Sequence, residues 1–469
     1  MRRALRLALV NPWITDFAAH DLWARPVGLL LLAGLLRDAG AAVDFIDCLQ
    51  RDHPDTAGRA EVLAGDAQRY GTGKFPKMPI AAPAAVAGLP RRYFRYGLHP
   101  ETLRAELARR PRPDLIWLSS GMTYWYPGVA QTAAALRRAW PGVPIWLGGS
   151  YARLCPDHAR RHAGADRVVT AATAELPRLL GRATGWTPPN AARWATLAAA
   201  PAPAHDLVER PAYLTLLASR GCPHRCAYCG SARLRRGFER RGGDALLDEM
   251  RAAHDSSGVV DFAFHDDALL LDAEADLGPA LDRLAAEGPR LRLHTPNGLH
   301  LAALDRRWCR RLHRAGFTTL RLGLETARAE QHAPYGDKRA GAGLDRAMEQ
   351  LTAAGFGPAQ IGAYLLAGLP GQRPDAVAAA IETTARAGAL PFLSEYSPVP
   401  GTPVFAQAQA ACPQDLAAEP LLHNNTLFTC QRPDFSRDDL ESLKREASKA
   451  RQRLLERDTT DTLRWENAE

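Results

Sequence analysis

Short apolar runs alternate with longer amphipathic ones along most of the chain. Residues 5–10 (LRLALV) read as a buried strand that stops at Asn11-Pro12. The apolar run from Pro26 to Ala39, closed by Gly40, reads as a buried helix, and residues 41–48 (AAVDFIDC) as a second strand. Further strands are predicted over 113–120, 143–149 and 166–170, with a helix over 128–139. Short apolar strands separated by helices build parallel βαβ units whose sheet is covered on both faces. Residues 1–185 are therefore expected to form a doubly wound domain of Rossmann or flavodoxin-like type. Ligands of such sheets sit at the carboxyl ends of the strands. Those ends carry Asn11-Pro12-Trp13, Ser119 to Trp125 and Gly148-Gly149-Ser150.

Residues 50–100 break the pattern with GTGKFPKMP and PRRYFRYG, and read as an insertion over the sheet edge or a surface excursion. Residues 186–210 are rich in Pro and Ala and read as a linker. Six further strands are predicted at 213–219, 259–266, 291–295, 319–325, 361–369 and 392–399, with helices between them. Over 211–405 they suggest a partial (β/α)6 barrel of TIM type, with chemistry at the carboxyl strand ends. Residues 406–469 are polar and charge-dense and read as a helical C-terminal extension. The expected fold class is thus α/β throughout.

Composition narrows the functions. With 469 residues, 46% hydrophobic and 23% charged, the chain is long enough for two or three domains at about 150 residues each and too apolar to be disordered. The longest apolar run, Val27 to Leu36, is half the roughly 20 residues a bilayer span needs. MRRALRLALVNPW lacks a small-residue cleavage site and reads as a strand, so a cytoplasmic setting is expected. The net charge of +8 is carried by dispersed Arg, with one cluster at Arg235, Arg236, Arg240 and Arg241. A solvated surface explains it better than a nucleic-acid partner.

Three of the eight cysteines fall within eight residues, in Ser219-Arg-Gly-Cys222-Pro-His-Arg-Cys226-Ala-Tyr-Cys229-Gly230, directly after a predicted strand. Three thiolates on one loop suit a soft metal centre. A structural zinc site wants four ligands, so His224 or a distant Cys would have to complete one. Three ligands suit an iron–sulfur cluster with one iron left open. Cys155, Cys309, Cys412 and Cys430 have no partner at metal spacing and read as buried small hydrophobes.

The cysteine loop resembles the signature of the radical S-adenosylmethionine (SAM) enzymes, down to the aromatic Tyr228 before the third Cys. Four further matches follow in order at successive strand ends: Phe264-His-Asp266-Asp267, Leu324-Glu325-Thr326, Gly368-Leu-Pro-Gly371 and Pro398-Val-Pro-Gly401-Thr. The resemblance implies a [4Fe-4S] cluster on Cys222, Cys226 and Cys229 and SAM chelating its open iron. It also implies reductive cleavage of SAM to methionine and a 5′-deoxyadenosyl radical. Tyr228 would lie near the adenine, Glu325 would accept hydrogen bonds from SAM, and Asp266 or Asp267 would hold its amino group. An N-cap remains the plain alternative for the aspartates. Asn297 and His294 end the third strand, where both would face SAM or substrate, with a turn as the alternative for Asn297. Gly368 and Gly371 would complete the cofactor cradle.

Residues 5–180 are similar to the cobalamin-binding-type domain that precedes many radical SAM cores, through RPVGLLLLAGLLRDAGAAVDFIDC, PDLIWLSS and WLGGSYARLCPDH. No D-x-H-x-x-G is present, so no histidine is marked as an axial ligand, and cobalamin binding stays open against a degenerate domain. Gly148 and Gly149 either admit a nucleotide tail or end a strand tightly. Met122 to Tyr126 forms a corrin face, contacts substrate or packs in the core. The resemblance implies methylation of carbon or phosphorus on a small-molecule, lipid or peptide substrate. A flavodoxin- or ferredoxin-like protein would deliver single electrons. The alternatives are a cobalamin-free rearrangement or cyclisation enzyme, and an iron–sulfur sensor. Catalytic side chains are not identified from sequence.

Overall fold

A computed structural model describes residues 4–235, 237–326 and 343–466. The chain divides into two compact units, residues 1–214 with 416–426, and residues 215–415 with 427–469.

The first unit is built on a parallel sheet of five strands. They are β1 (Arg6–Asn11), β2 (Ala42–Asp47), β3 (Leu115–Leu118), β4 (Ile145–Leu147) and β5 (Arg167–Val168), in the order β5-β4-β3-β1-β2. This is the doubly wound order expected, and it reverses between β1 and β3. Helix α1 (Val27–Asp38) buries nine of its twelve residues, which is why its sequence lacks a polar stripe.

Two segments of this unit differ from expectation, and a third goes against one of two alternatives. Ile14–Asp16, Lys77–Ile80 and Tyr93–Tyr96 pair as a small antiparallel sheet. Ile14, Phe75, Phe94 and Tyr96 give it a core of its own, so residues 50–100 are a folded subdomain and not a loose excursion. Residues 186–210 do not behave as a linker. Trp194 and Leu197 are buried, and the Ala204 N–H donates to the Leu30 carbonyl on α1. Residues 416–426, expected within the C-terminal extension, belong to the first unit. Asn424 Nδ2 donates to Asp16 Oδ1 at 2.7 Å, and His423 Nδ1 meets Thr123 Oγ1 at 2.9 Å. Burial raises the Asp16 carboxyl above its usual range, and the Trp125 and Asn424 donors offset that cost.

The second unit carries six strands paired in sequence order: β6 (Leu214–Leu216), β7 (Asp261–Phe264), β8 (Arg292–His294), β9 (Phe317–Glu325), β10 (Ile361–Ala367) and β11 (Leu390–Glu395). The pairings from β7 to β11 are parallel. On β9 the residues Leu320, Leu322 and Leu324 are fully buried and alternate with Arg321, Gly323 and Glu325, so one face packs into the core and the other carries the polar groups. Two members of the arginine cluster are spent inside the fold. Arg240 pairs with Asp276 at 2.7 Å, and the buried Arg241 with the buried Glu249. A 30-residue helix, Arg437–Glu466, ends the described chain. Among the described residues no helix is long and apolar enough to cross a membrane.

Candidate active site

The cysteine loop is framed before it begins. Ser219–Arg220 pairs antiparallel with Glu239–Arg240, and Arg220 Nε reaches Glu239 at 2.6 Å. Gly221 has φ 81°, and a Cβ there would lie 2.2 Å from the Gly237 carbonyl oxygen, so only glycine closes this neck. Asp266, at the end of β7, fastens it from below. Its carboxylate accepts from Ser219 Oγ at 2.6 Å, from the Ala218 N–H at 3.2 Å and from the Ser219 N–H. Burial pushes the Asp266 carboxyl up to about 6 against the pull of these donors.

Between the neck strands, Cys222, Cys226 and Cys229 are partly buried, and none of the eight cysteines is in a disulfide. The three open onto one cavity of about 370 Å3, which Tyr228, Asp267, Asn297 and Glu325 also line. The Cys229 N–H donates to the Cys226 carbonyl, and the Ser231 N–H points to the Cys229 sulfur. Among the described residues no three His, Cys, Asp or Glu side chains are drawn to metal-holding distance, so the sulfurs share the cavity without closing on a point. Three thiols as the donor set fit iron of a cluster. The remaining cysteines are buried, and burial raises Cys155, Cys309 and Cys430 to about 12, which keeps them protonated and inert.

Glu325 enters the cavity through a distorted strand end. The β9–β10 register shifts between Gly323 and Glu325, leaving Leu324 as a bulge. The Thr326 N–H donates to the Leu324 carbonyl at 2.8 Å, closing a γ-turn on Glu325, whose φ is 66°. Such strain persists only where the surroundings enforce it. The Tyr228 phenol is pushed well up, first by burial and then by the Glu325 carboxylate and the neighbouring thiols. Burial also raises Asp267, opposed by a hydrogen bond from Ser231. Asn297 Nδ2 donates to the carbonyls of His265 and Asp266 at 3.0 and 3.2 Å.

Other expected site residues lie elsewhere. Asp266 is committed to the neck and does not line the cavity. His294 is buried beneath it, between Asp261 Oδ1 at 3.0 Å and Thr319 Oγ1 at 2.9 Å. Gly368 and Gly371 shape the turn after β10, with φ 88° and 78°. Gln372 braces that turn by accepting from the Gly368 N–H at 2.8 Å. A Cβ on Gly368 would meet the Phe428 ring. In the first unit, Gly149 has φ 98°, and a Cβ would lie 2.2 Å from the Ser120 carbonyl oxygen; one on Gly148 would meet the Trp117 ring. Both glycines are thus accounted for by packing within the sheet edge.

Several lining residues escaped the sequence, and His224, read there only as a ligand that could complete a zinc site, takes a different place. His224 and His300 stack with ring centroids 4.5 Å apart. The Tyr364 hydroxyl donates to the Pro296 carbonyl at 2.9 Å. Glu395, at the end of β11, takes Lys444 Nζ at 2.6 Å. Glu395 is the last residue of β11, and Tyr364 shares its face of β10 with Leu366, which also lines the cavity; His300 carried no local signal.

At the switch between β1 and β3, the turn after β3 is held by Ser120 Oγ donating to the Gly148 carbonyl at 2.6 Å and by Trp125 Nε1 on Asp16 Oδ2 at 2.7 Å. It presents Met122 half exposed, an apolar face at the edge where this fold binds flat cofactors. A larger cavity, about 930 Å3, lies at the opposite edge, against Leu5, Asp114 and Pro144 at the amino ends of the strands.

A cysteine loop at the carboxyl edge of a parallel sheet, in a chain that opens with a doubly wound unit, defines a cofactor-dependent α/β enzyme. Residues 216–384 match the radical SAM superfamily and residues 80–180 the B12 binding domain. The chain thus carries a radical SAM domain and, ahead of it, a B12-binding domain, and its cofactors are those that the two domains bind: a [4Fe-4S] cluster with SAM, and cobalamin. Solved structures share the fold. The radical SAM methyltransferase TsrM from Kitasatospora setae, with tryptophan substrate and a SAM analogue bound, is 16% identical with a TM-score of 0.60, over 87% of this chain and 76% of that one. Its form with cobalamin and a [4Fe-4S] cluster is 15% identical, with a TM-score of 0.61 over 88% and 80%. The cobalamin-dependent SAM radical enzyme OxsB, with aqua-cobalamin and SAM bound, is 12% identical, with a TM-score of 0.56 over 91% of this chain and 56% of that one. No curated protein sequence matches.

Proposed function

We propose that the chain is a methyltransferase of the cobalamin-dependent radical SAM type, methylating carbon or phosphorus of a substrate whose identity is open. The observation that carries this is the convergence on one cavity of Cys222, Cys226, Tyr228 and Cys229 from one loop with Asp267, Asn297 and Glu325 from three strand ends. When bound, the cluster supplies the electron that cleaves SAM, and cobalamin supplies a carrier for the methyl group. The chain's part is binding, orientation and exclusion of water. Cys222, Cys226 and Cys229 would hold the cluster through their thiolates. Glu325, fixed by its γ-turn, accepts hydrogen bonds from SAM, and Asp267 supplies the counter-charge for its amino group. Tyr228 walls the adenine side, and Asn297 holds the β7 end in place. Met122 offers an apolar surface to the corrin.

A one-electron reductant is required, and a flavodoxin- or ferredoxin-like protein fits that need. A radical rearrangement or cyclisation of the substrate is the second reading, since the same cavity residues would serve either reaction. The test supplies methyl-deuterated SAM, a reductant and candidate substrates to the loaded enzyme and follows label by mass spectrometry. A labelled product supports methyl transfer. Deoxyadenosine formed with an isomerised, unlabelled product supports the second reading.

A further inference from the structure

The segment Pro296–His300 touches four parts of the site within five residues. Pro296 accepts from the Tyr364 hydroxyl on β10 at 2.9 Å. Asn297 donates to the two carbonyls that end β7. A Cβ on Gly298 would lie 2.8 Å from Gly323 Cα, so the backbone runs hard against β9. Leu299 completes the attachment there, with its N–H on the Arg321 carbonyl at 2.7 Å and its carbonyl accepting from the Gly323 N–H at 2.9 Å. His300, at the far end, stacks on His224, with rings 4.5 Å apart and 21° from parallel. His224 is the middle residue of the span between Cys222 and Cys226, a stretch with no helix or strand.

We infer that Pro296–His300 is a clasp, and that His300 is a positioning residue for the cysteine loop. Hydrogen bonds to three strands make the segment stiff, and the ring stack transmits that stiffness to the irregular loop. A preorganised ligand loop loses less conformational freedom when it closes on metal and releases metal more slowly. The inference rests on the reading of Cys222, Cys226 and Cys229 as cluster ligands.

The test compares wild type, His300→Ala and His300→Phe, each reconstituted anaerobically with iron and sulfide. Iron per chain is measured, then the rate of iron loss to an excess of a ferrous chelator. An aromatic stack of this kind corresponds to a change of about fivefold. His300→Ala is expected to lose iron about fivefold faster, and His300→Phe, which keeps a stacking ring, to stay within twofold of wild type. Equal rates in all three overturn the clasp while leaving the cluster assignment standing. Equal loss in both variants also overturns it, because a ring would then not suffice. If wild type itself takes up no iron, the cluster assignment fails first. Circular dichroism of each apoprotein separates these outcomes from misfolding.

Discussion

Replacing Glu325 by glycine should make the second unit more stable and the enzyme worse. Glu325 holds φ at 66° inside a γ-turn at the end of β9. A residue with a Cβ in such a conformation costs about 1–3 kcal/mol. Glycine removes that strain and gives back about 0.5–1 kcal/mol through its freer unfolded chain. Glu325→Gly should therefore exceed Glu325→Ala in stability by about 1 kcal/mol, since both lack the carboxylate and differ only in backbone tolerance. The same change removes an acceptor facing the cavity. A hydrogen bond to a charged group contributes about 1.5–3 kcal/mol, so SAM affinity should fall roughly 10- to 100-fold in both variants. Urea unfolding of the apoproteins and equilibrium SAM binding to the reconstituted ones give the two numbers. Glu325→Gly no more stable than Glu325→Ala would refute the strain; SAM binding within twofold of wild type would refute the role.

Gly149→Ala should destabilise the first unit by at least about 2 kcal/mol, because the Cβ is driven onto the Ser120 carbonyl at positive φ; thermal unfolding that matches wild type would count against this. The Asp266 carboxyl stands at about 6 in the fold against an ordinary 3.8. The fold therefore holds this proton more tightly than the unfolded chain does. Its stabilising contribution is full below pH 4 and is lost as pH rises through 6, with a slope of about 1.36 kcal/mol per pH between those limits. Asp266→Asn should remove that slope from a stability-versus-pH series, and a slope that persists would assign it to other groups. Cys226→Ala should abolish the cluster absorbance and SAM cleavage together; cleavage retained without the cluster would break the assignment of the thiols.

Much of the architecture was legible because it rests on periodicity. Buried parallel strands write near-continuous apolar runs, and β1, β3 and β10 are such runs. The cysteines were legible from their spacing, Asn297 from its place after a strand, and Asp267 and Glu325 through the resemblance of their motifs to those of radical SAM enzymes. What failed to show depends on neighbours distant in sequence. Residues 416–426 have no period, and it is the buried Asp16 carboxylate, distant in sequence, that draws the Asn424 side chain in. Residues 186–210 look like a linker by composition, yet Gly34 on α1 leaves a groove that the Ala202 carbonyl fills. Asp266 and Asp267 are adjacent and identical in type, and only the pleat of the strand end sends one to the Ser219 neck and the other to the cavity. Gly148 and Gly149 read either as an approach path for a ligand or as a tight strand end, and sequence could not show that a side chain on them would meet Trp117 and Ser120.

The most direct test of the account is metal content joined to SAM turnover. The protein is reconstituted anaerobically with iron, sulfide and hydroxocobalamin, desalted, analysed for iron and cobalt, and then reduced with SAM present. The account predicts about four irons per chain, near-stoichiometric cobalt, and SAM consumed only after reduction. Iron and turnover without cobalt would contradict the methyl-carrier role of the first unit. A chain that takes up no iron, or one that turns SAM over equally well without it, would contradict the central claim.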